Sequence, residues 1–505
     1  MDSDYGKAGK DSEVAEVLVP LRGKNRESPH QKHSWMFWRR KRYLVTLLTL
    51  FGFMKVYTLR SSVSVAAVAM TSPYHTTLDN GTVVEAQDFN WDSKMLGTFL
   101  SSYFYGQVGS QLLGGWLAAR VGGARLFGWA LGVTSVMTVI TPPIVYANFY
   151  LLLITRALTG FFEGVTYPCL LEIWSKWIPS QERLNLMNLA MSGMPIGIVA
   201  GLLLGGLIAD YLGWAFIFYI TGTLGILWSI VWLLVVKDRP EYDLNISSEE
   251  LKYIKDSLEV NTGNKHIKHP WKKFFTSTPV WAMVVGIICE NWGHITFITQ
   301  LPAFMTDVYG FRLSKSGLIT SLPYIVLGIA TQFTGRLADW LKNEKILTMT
   351  QVRKTFGCGT FFLQAAILML STKLQSATLV ILCIITLVGL ESFAITVLPS
   401  NGLDMAPQHA SVIFGLSCTL GCLPGILSPL LSGFIVTNRS KEQWMIVFYI
   451  ASGLYVFGGV FYGLFSSGEL QPWAKNGTLP PGTESKDPEN NRVSVEKEDH
   501  IKNRL

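Results

Sequence analysis

Charged and titratable side chains stand inside stretches of this 505-residue chain that are otherwise apolar. An ionised group in hydrocarbon is costly, so each such position requires a partner or a function. Arg60 lies deep in the first apolar stretch, and its planar guanidinium offers paired N–H donors that match a carboxylate. A tie to backbone carbonyls or to a neighbouring helix is the alternative use. Arg156 and Glu163 are seven residues apart and so share one helix face, two turns from each other. Burial and a nearby arginine act oppositely on the proton affinity of a carboxylate, and a group so balanced can load and release a proton. The competing reading is a fixed Arg156–Glu163 pair that only sets helix packing. Glu290 and His294 are one turn apart and can relay a proton or touch a substrate, since imidazole titrates near neutrality. His294 serves equally well as a hydrogen-bonded packing residue. Lys55 and Glu391 could form an intramembrane ion pair across the two halves, with snorkelling of Lys55 and a water-facing Glu391 as alternatives. Tyr105 and Asn291 are the polar side chains expected to line a route.

Other chemistries find no support. Cys169, Cys289, Cys358, Cys383, Cys418 and Cys422 fall in or beside apolar stretches without metal-ligand spacing, so they read as packing residues. There is no phosphate loop, serine elbow or His/Cys cluster, and the expectation is a non-enzyme without metal or cofactor. The net charge of +7 comes with basic runs that lack interleaved aromatics, which argues against nucleic acid.

The elements that must position these residues are helices in a bilayer. Hydrophobic residues make up 49% of the chain and charged residues only 15%, against about 25% in soluble proteins. Ile198–Ile208, Phe216–Val236 and Leu379–Leu390 hold no charge at all. Twelve stretches near the ~20 residues that span a bilayer are expected at 43–70, 95–118, 126–146, 149–171, 186–211, 214–236, 280–305, 314–338, 354–371, 376–399, 410–437 and 443–465. This divides the chain into a tail 1–42, a six-helix bundle 43–236, a polar loop 237–279, a second bundle 280–465, and a tail 466–505 expected to be disordered. Arg39, Arg40, Lys41 and Arg42 precede the first stretch, and Lys265, Lys268, Lys272 and Lys273 precede the seventh. Positive-inside topology then puts both termini and the middle loop in the cytosol. The polar first 34 residues lack the apolar region of a cleavable signal. Asn80-Gly81-Thr82 is an outward glycosylation acceptor, with Asn438-Arg439-Ser440 close to the membrane. Gly193, Gly197, Gly201 and Gly205 are spaced for close helix packing.

The two bundles repeat. Gly115-Trp116-Leu117-Ala118-Ala119-Arg120-Val121-Gly122 closes the second stretch, and Gly335-Arg336-Leu337-Ala338-Asp339 closes the eighth, 335 − 115 = 220 positions later. Trp214…Phe218-Tyr219 and Trp444…Phe448-Tyr449 are 444 − 214 = 230 positions apart. Such parallel repeats place a site at their interface near the midplane.

The Gly-x-Leu-Ala-Asp-Arg-type loop resembles that of the major facilitator superfamily, with Ala119 replacing the aspartate in the first copy and Asp339 retaining it in the second. Arg156…Gly160…Gly164 is similar to the motif of its proton-coupled members. Glu163-Gly164-Val165-Thr166-Tyr167-Pro168, Ile173-Trp174-Ser175-Lys176-Trp177, Pro270-Trp271-Lys272-Lys273 and Gly468-Glu469-Leu470-Gln471-Pro472-Trp473 resemble the anion–cation symporter family, which includes sialin, the vesicular glutamate transporters and sodium–phosphate cotransporters, with the sialin-like branch nearest in pattern. The resemblance implies an all-α membrane protein of twelve transmembrane helices, a major facilitator fold of two six-helix halves working as a monomer. It implies Arg60 as substrate ligand, Glu163 as proton-coupling residue, and Gly115, Arg120, Gly122, Gly335 and Asp339 as parts of the conformational-switch loops. The cargo is then a small organic anion such as an acidic sugar or acidic amino acid, coupled to H+, with sodium-driven phosphate or organic-anion transport as the alternative. A non-transporting receptor of the same fold is the rival from another class. Lysosomal or vesicular membrane and plasma membrane both suit. Thr159 stands where the sialin branch often adds a second glutamate, Ser61 and Ser62 follow Arg60, Leu171 replaces a common histidine, and Glu290 replaces the arginine of the vesicular glutamate transporters.

Overall fold

A computed structural model describes residues 40–72, 74–77, 83–179, 181–259, 270–344 and 346–477. Asn80 lies outside them. The N-terminal lobe begins with α1 (Lys41–Thr71), a short antiparallel hairpin of β1 (Tyr74–Thr77) and β2 (Val83–Ala86), and α2 (Ser93–Val121). The hairpin is an addition to the expected all-helical chain. Next come α3 (Gly123–Val139) and α4 (Thr141–Ala147), bent by 49° where Pro142 and Pro143 start the second piece. The fourth crossing is α5 (Phe149–Gly164) and α6 (Thr166–Trp177), the fifth is α7 (Arg183–Met191) and α8 (Gly193–Tyr211), and the sixth is α9 (Trp214–Val235). Asp92 and Asn148 cap α2 and α5 by accepting from the first-turn N–H groups of Met95 and of Tyr150 and Leu151.

The expected polar loop contains two helices, α10 (Ser248–Glu259) and α11 (Trp271–Thr276). The C-terminal lobe follows as α12 (Thr278–Tyr309), α13 (Leu313–Asn343), α14 (Met349–Lys373), α15 (Ala377–Met405), α16 (Ala410–Gly421), α17 (Leu423–Ile435) and α18 (Lys441–Phe465). Among the described residues ten helical segments are long and apolar enough to cross a membrane, and the bent α3–α4 pair makes eleven. α2, 29 residues long, takes the twelfth place. Its lower hydropathy comes from Ser101, Ser102, Gln107 and Ser110, all buried against protein, where a polar side chain need not meet lipid. The outward faces are apolar instead, as with Leu224, Leu227 and Leu234 on α9.

Within the first lobe α1 packs along α8, α2 along α5, and α3 along α9. A Cβ on Gly193, Gly197 or Gly201 would strike the carbonyls of Leu50, Met54 or Thr58, so the small-residue stripe lets α8 lie directly on the α1 backbone. In the second lobe α14 packs on α15 and α18, and α13 on α15. The lobes meet through α8 on α13, α2 on α17, and α1 on α12. The duplication reaches the backbone breaks: α7–α8 is interrupted at Ser192 and α16–α17 at Cys422, and 422 − 192 = 230 matches the tryptophan offset.

The lobes pack backbone to backbone at the hairpin end, while glycines toward the other end face open space. A Cβ on Gly97 or Gly433 would strike the opposite helix of the α2–α17 contact, and one on Gly206 or Gly317 would strike the opposite helix of the α8–α13 contact. Toward the far ends of α2 and α13, and on α16, Cβ atoms on Gly109, Gly115, Gly335 and Gly415 would meet nothing within 4 Å.

Charge pairs fasten the far end within each lobe. Arg42, buried, reaches Glu182 at 2.9 Å and Glu250 at 3.2 Å, while Glu250 also accepts from the backbone N–H groups of Lys41 and Arg42 at the start of α1. Asp238 accepts from the N–H groups of Ala124 and Arg125 at the start of α3 and pairs with Arg125 at 2.9 Å. Gly122 has φ 103°, and a Cβ there would collide with the Asp238 carboxylate, so both the backbone and the cap require glycine. In the second lobe Arg353 and Asp404 pair at 2.8 Å. Of the tail expected to be disordered, residues 466–477 pack on the second lobe, and 478–505 lie outside the described residues. Gln471 N–H donates to Met405 O, and Trp473 lies edge-on to Phe274 and against His409.

Candidate functional site

Arg60 projects from α1 toward α2 and α5 at the lobe interface. Its Nη2 donates to Tyr103 Oη at 2.6 Å and lies 3.6 Å from Glu163 Oε1. The guanidinium also stands over the rings of Tyr57 at 5.0 Å, Tyr103 at 4.9 Å and Phe104 at 5.9 Å, an aromatic box that suits a cation. Tyr57 and Tyr167 hydroxyls meet at 2.6 Å beside it. Tyr103 and Phe104 pack with Ile295 of α12 and Ile426 of α17, and Cys422 Sγ donates to Gln111 Oε1 at 3.1 Å, so the box borders the second lobe.

The local fold explains this convergence. Gly106, Gly160 and Gly164 lie where α2 and α5 cross, and a Cβ on any of them would strike the other helix. That close crossing brings Tyr103 on α2 beside Glu163 on α5. Glu163 is buried, and its Oε1 makes no hydrogen bond, so the Arg60 contact is purely electrostatic at that atom. Arg156 forms no ion pair with Glu163 among the described residues. It stands over Phe99 and Tyr103, 5.5 Å from each ring, within electrostatic range of Glu163, while Arg60 is the cation in direct contact with that carboxylate.

The Lys55–Glu391 pair does not form. Lys55 Nζ donates to Thr134 Oγ1 at 3.2 Å and Leu131 O at 3.4 Å within the first lobe, beside a cavity of about 240 Å³ between α1, α8 and α9. Glu391 Oε1 lies 2.6 Å from His294 Nδ1 instead. Glu290 Oε1 accepts from Gln364 Nε2 at 3.0 Å, and its Oε2 is unpartnered. Asn291 Nδ2 donates to Gly421 O at 2.8 Å, which ties α12 to the break in the eleventh crossing.

Tyr105 is half-exposed on α2 and stands away from the box, where Tyr103 takes the place expected of it. Gly115 and Gly335 lie toward the far end, Gly122 is held against Asp238, and Arg120 stacks on Trp116 at 4.2 Å. Asp339 sits within α13 beyond Gly335. Sequence reasoning passed over Gln364 and Asp238, since a glutamine in an apolar run and an aspartate after one carry no spacing signal.

Residues 46–429 match the model of the Major Facilitator Superfamily. The chain is 36% identical over 475 residues to vesicular glutamate transporter 1 of Xenopus laevis, covering 93% of this chain and 82% of that protein. It is 34% identical over 472 residues to vesicular glutamate transporter 2 of Homo sapiens, covering 92% and 81%. In fold it is similar to a bacterial homolog of the human lysosomal transporter Spinster, in an inward-facing and occupied conformation, with a TM-score of 0.66 over 84% of this chain and 96% of that one at 14% identity.

Proposed function

Because this chain belongs to the major facilitator superfamily and is a membrane transporter rather than an enzyme, we infer that it carries small organic anions by alternating access, with Arg60 as anchor and Glu163 as proton-coupling group. The observation that carries this reading is the Arg60–Glu163 contact at the lobe interface, at 3.6 Å and without a hydrogen bond at Glu163 Oε1. An incoming carboxylate offers Arg60 the bidentate partner that Glu163 does not supply. Glu163, displaced from its cation and still buried, then takes a proton rather than stand as an uncompensated charge. Return of the empty carrier reverses the exchange.

The vesicular glutamate transporters, by their name, carry an acidic amino acid, which supports a carboxylate cargo here. Positive-inside topology puts both termini in the cytosol, so the end away from the hairpin faces the cytosol and the hairpin end faces the lumen or exterior. Residence in a lysosomal or vesicular membrane suits export driven by an acidic lumen, and a single chain holds the full set of these residues.

The test is uptake into proteoliposomes of sialic acid, glucuronate, glutamate, aspartate and phosphate, under an imposed pH gradient or an imposed sodium gradient. Proton-driven uptake of a carboxylate that Arg60→Ala abolishes is the expected result. Sodium-driven phosphate uptake, or uptake unchanged in Arg60→Ala, overturns the reading.

A further inference from the structure

The interior charges of the two lobes follow one plan with opposite sign. Arg60 on α1 meets Glu163 on the fourth crossing, and His294 on α12 meets Glu391 on the tenth. The offsets, 294 − 60 = 234 and 391 − 163 = 228, lie within a helical turn of the 230 that separates the paired tryptophans and the paired helix breaks. About one turn earlier on the same two helices, Lys55 bonds Thr134 of the third crossing and Glu290 bonds Gln364 of the ninth. The first lobe thus holds Lys55, Arg60 and Arg156 against one carboxylate. The second holds Glu290 and Glu391 against one imidazole.

Two ionised carboxylates at the middle of a lobe are costly unless a cation joins them. Where the first lobe has arginine, whose charge is permanent, the second has histidine, a residue type that exists both neutral and charged. The groups facing this cluster come from every helix around it. They are Tyr324 of α13, whose ring lies 6.2 Å from the His294 ring, Gln364 of α14, Glu391 of α15, and Tyr455 of α18, within electrostatic range of both carboxylates. Lys55, Tyr57 and Arg60 of the adjoining α1 are engaged by α3, α6 and α2. Ser428 of α17 bonds Thr296. Among the described residues Glu290 Oε2 is buried without a hydrogen-bond partner, an acceptor that a proton can satisfy, and the Tyr324 hydroxyl is buried without one as well.

We propose that Glu290, His294 and Glu391 form a proton-binding site of the C-terminal lobe, distinct from Glu163 and set opposite the anion-holding Arg60. The proposal rests on the anion reading only for its role in coupling; the protonation itself is independent of cargo.

The experiment is an infrared titration of carboxyl C=O bands across the neutral range, on the full chain in lipid nanodiscs without substrate, with sodium chloride and again with choline chloride. Wild type is expected to show a pH-dependent carboxyl signal that loses one component in Glu391→Gln and another in Glu290→Gln. In His294→Gln the Glu391 component should persist at a shifted midpoint, a readout that a merely structural histidine would not move. Arg60→Ala should keep both components, so failure of the anion reading leaves this result standing. A signal unaltered in both glutamine variants, each monodisperse and helical, overturns the proposal, as does a signal that sodium abolishes.

Discussion

Arg60 Nη2 stands 2.6 Å from Tyr103 Oη, while the neighbouring carboxylate waits at 3.6 Å. The arginine is therefore oriented by a phenol and rings, which an anion need not displace, and only loosely held by the group that an anion must replace. Lysine keeps the charge but lacks the planar fork. Arg60→Lys should lower uptake efficiency by about 10- to 100-fold, corresponding to loss of a charge-assisted bond of ~1.5–3 kcal/mol. Tyr103→Phe should act more weakly, about 10-fold. Initial-rate uptake over a range of substrate concentrations checks both.

Glu163→Gln should separate exchange from net transport. A neutral amide mimics the protonated carboxyl, so the loaded carrier can still shuttle, but the empty carrier has no carboxylate to return to Arg60. Counterflow of labelled against unlabelled substrate should persist within about threefold, whereas uptake driven by a pH gradient should vanish. Loss of both together would remove Glu163 from coupling.

The helices were legible because hydrocarbon leaves few alternatives to an apolar helix, and the duplication was legible because motifs recurred at matching offsets. Pairing was harder to read. Lys55 was matched with Glu391 by sign alone, yet five residues at 100° each turn Lys55 about 140° round α1 from Arg60, toward α3 rather than the other lobe. Tyr105 is polar enough to line a route, but it is Tyr103 that meets Arg60, and two residues apart on a helix the two side chains face nearly opposite ways. Arg156 and Glu163 share a face, but the crossing at Gly106, Gly160 and Gly164 brings Tyr103 beside the carboxylate, and Tyr103 in turn bonds Arg60; sequence spacing within one helix does not report a neighbour's approach. The tail after Phe465 read as disordered by composition, while Trp473 supplies the apolar anchor that composition averages away.

Arg42→Gln should destabilise the first lobe without touching the site. The guanidinium is buried between Glu182 and Glu250, and its removal leaves Glu250 buried with two backbone donors but no cation. Breaking a buried pair from one side costs about 3 kcal/mol or more. A fall in Tm of several degrees in detergent is the expected reading, with the substrate concentration for half-maximal uptake unchanged in the protein that survives.

Gly97→Val should force the hairpin end open. Gly97 and Gly433 meet across α2 and α17, where an added side chain strikes Pro429 O, and Gly206 and Gly317 make the matching contact across α8 and α13. Overpacking such a contact costs about 1–3 kcal/mol, and the cost falls only on the state in which these glycines touch. A two-state carrier then shifts by about 5- to 150-fold toward the opposite opening. Spin labels at the start of α2 and the end of α17 should report a longer distance in Gly97→Val than in wild type. Labels near Gly115 and Gly415, where added volume meets open space, should move closer together, because parting one end of a rocking pair closes the other. Unchanged distances at both ends would mean that the glycine contact is not part of the rocking interface.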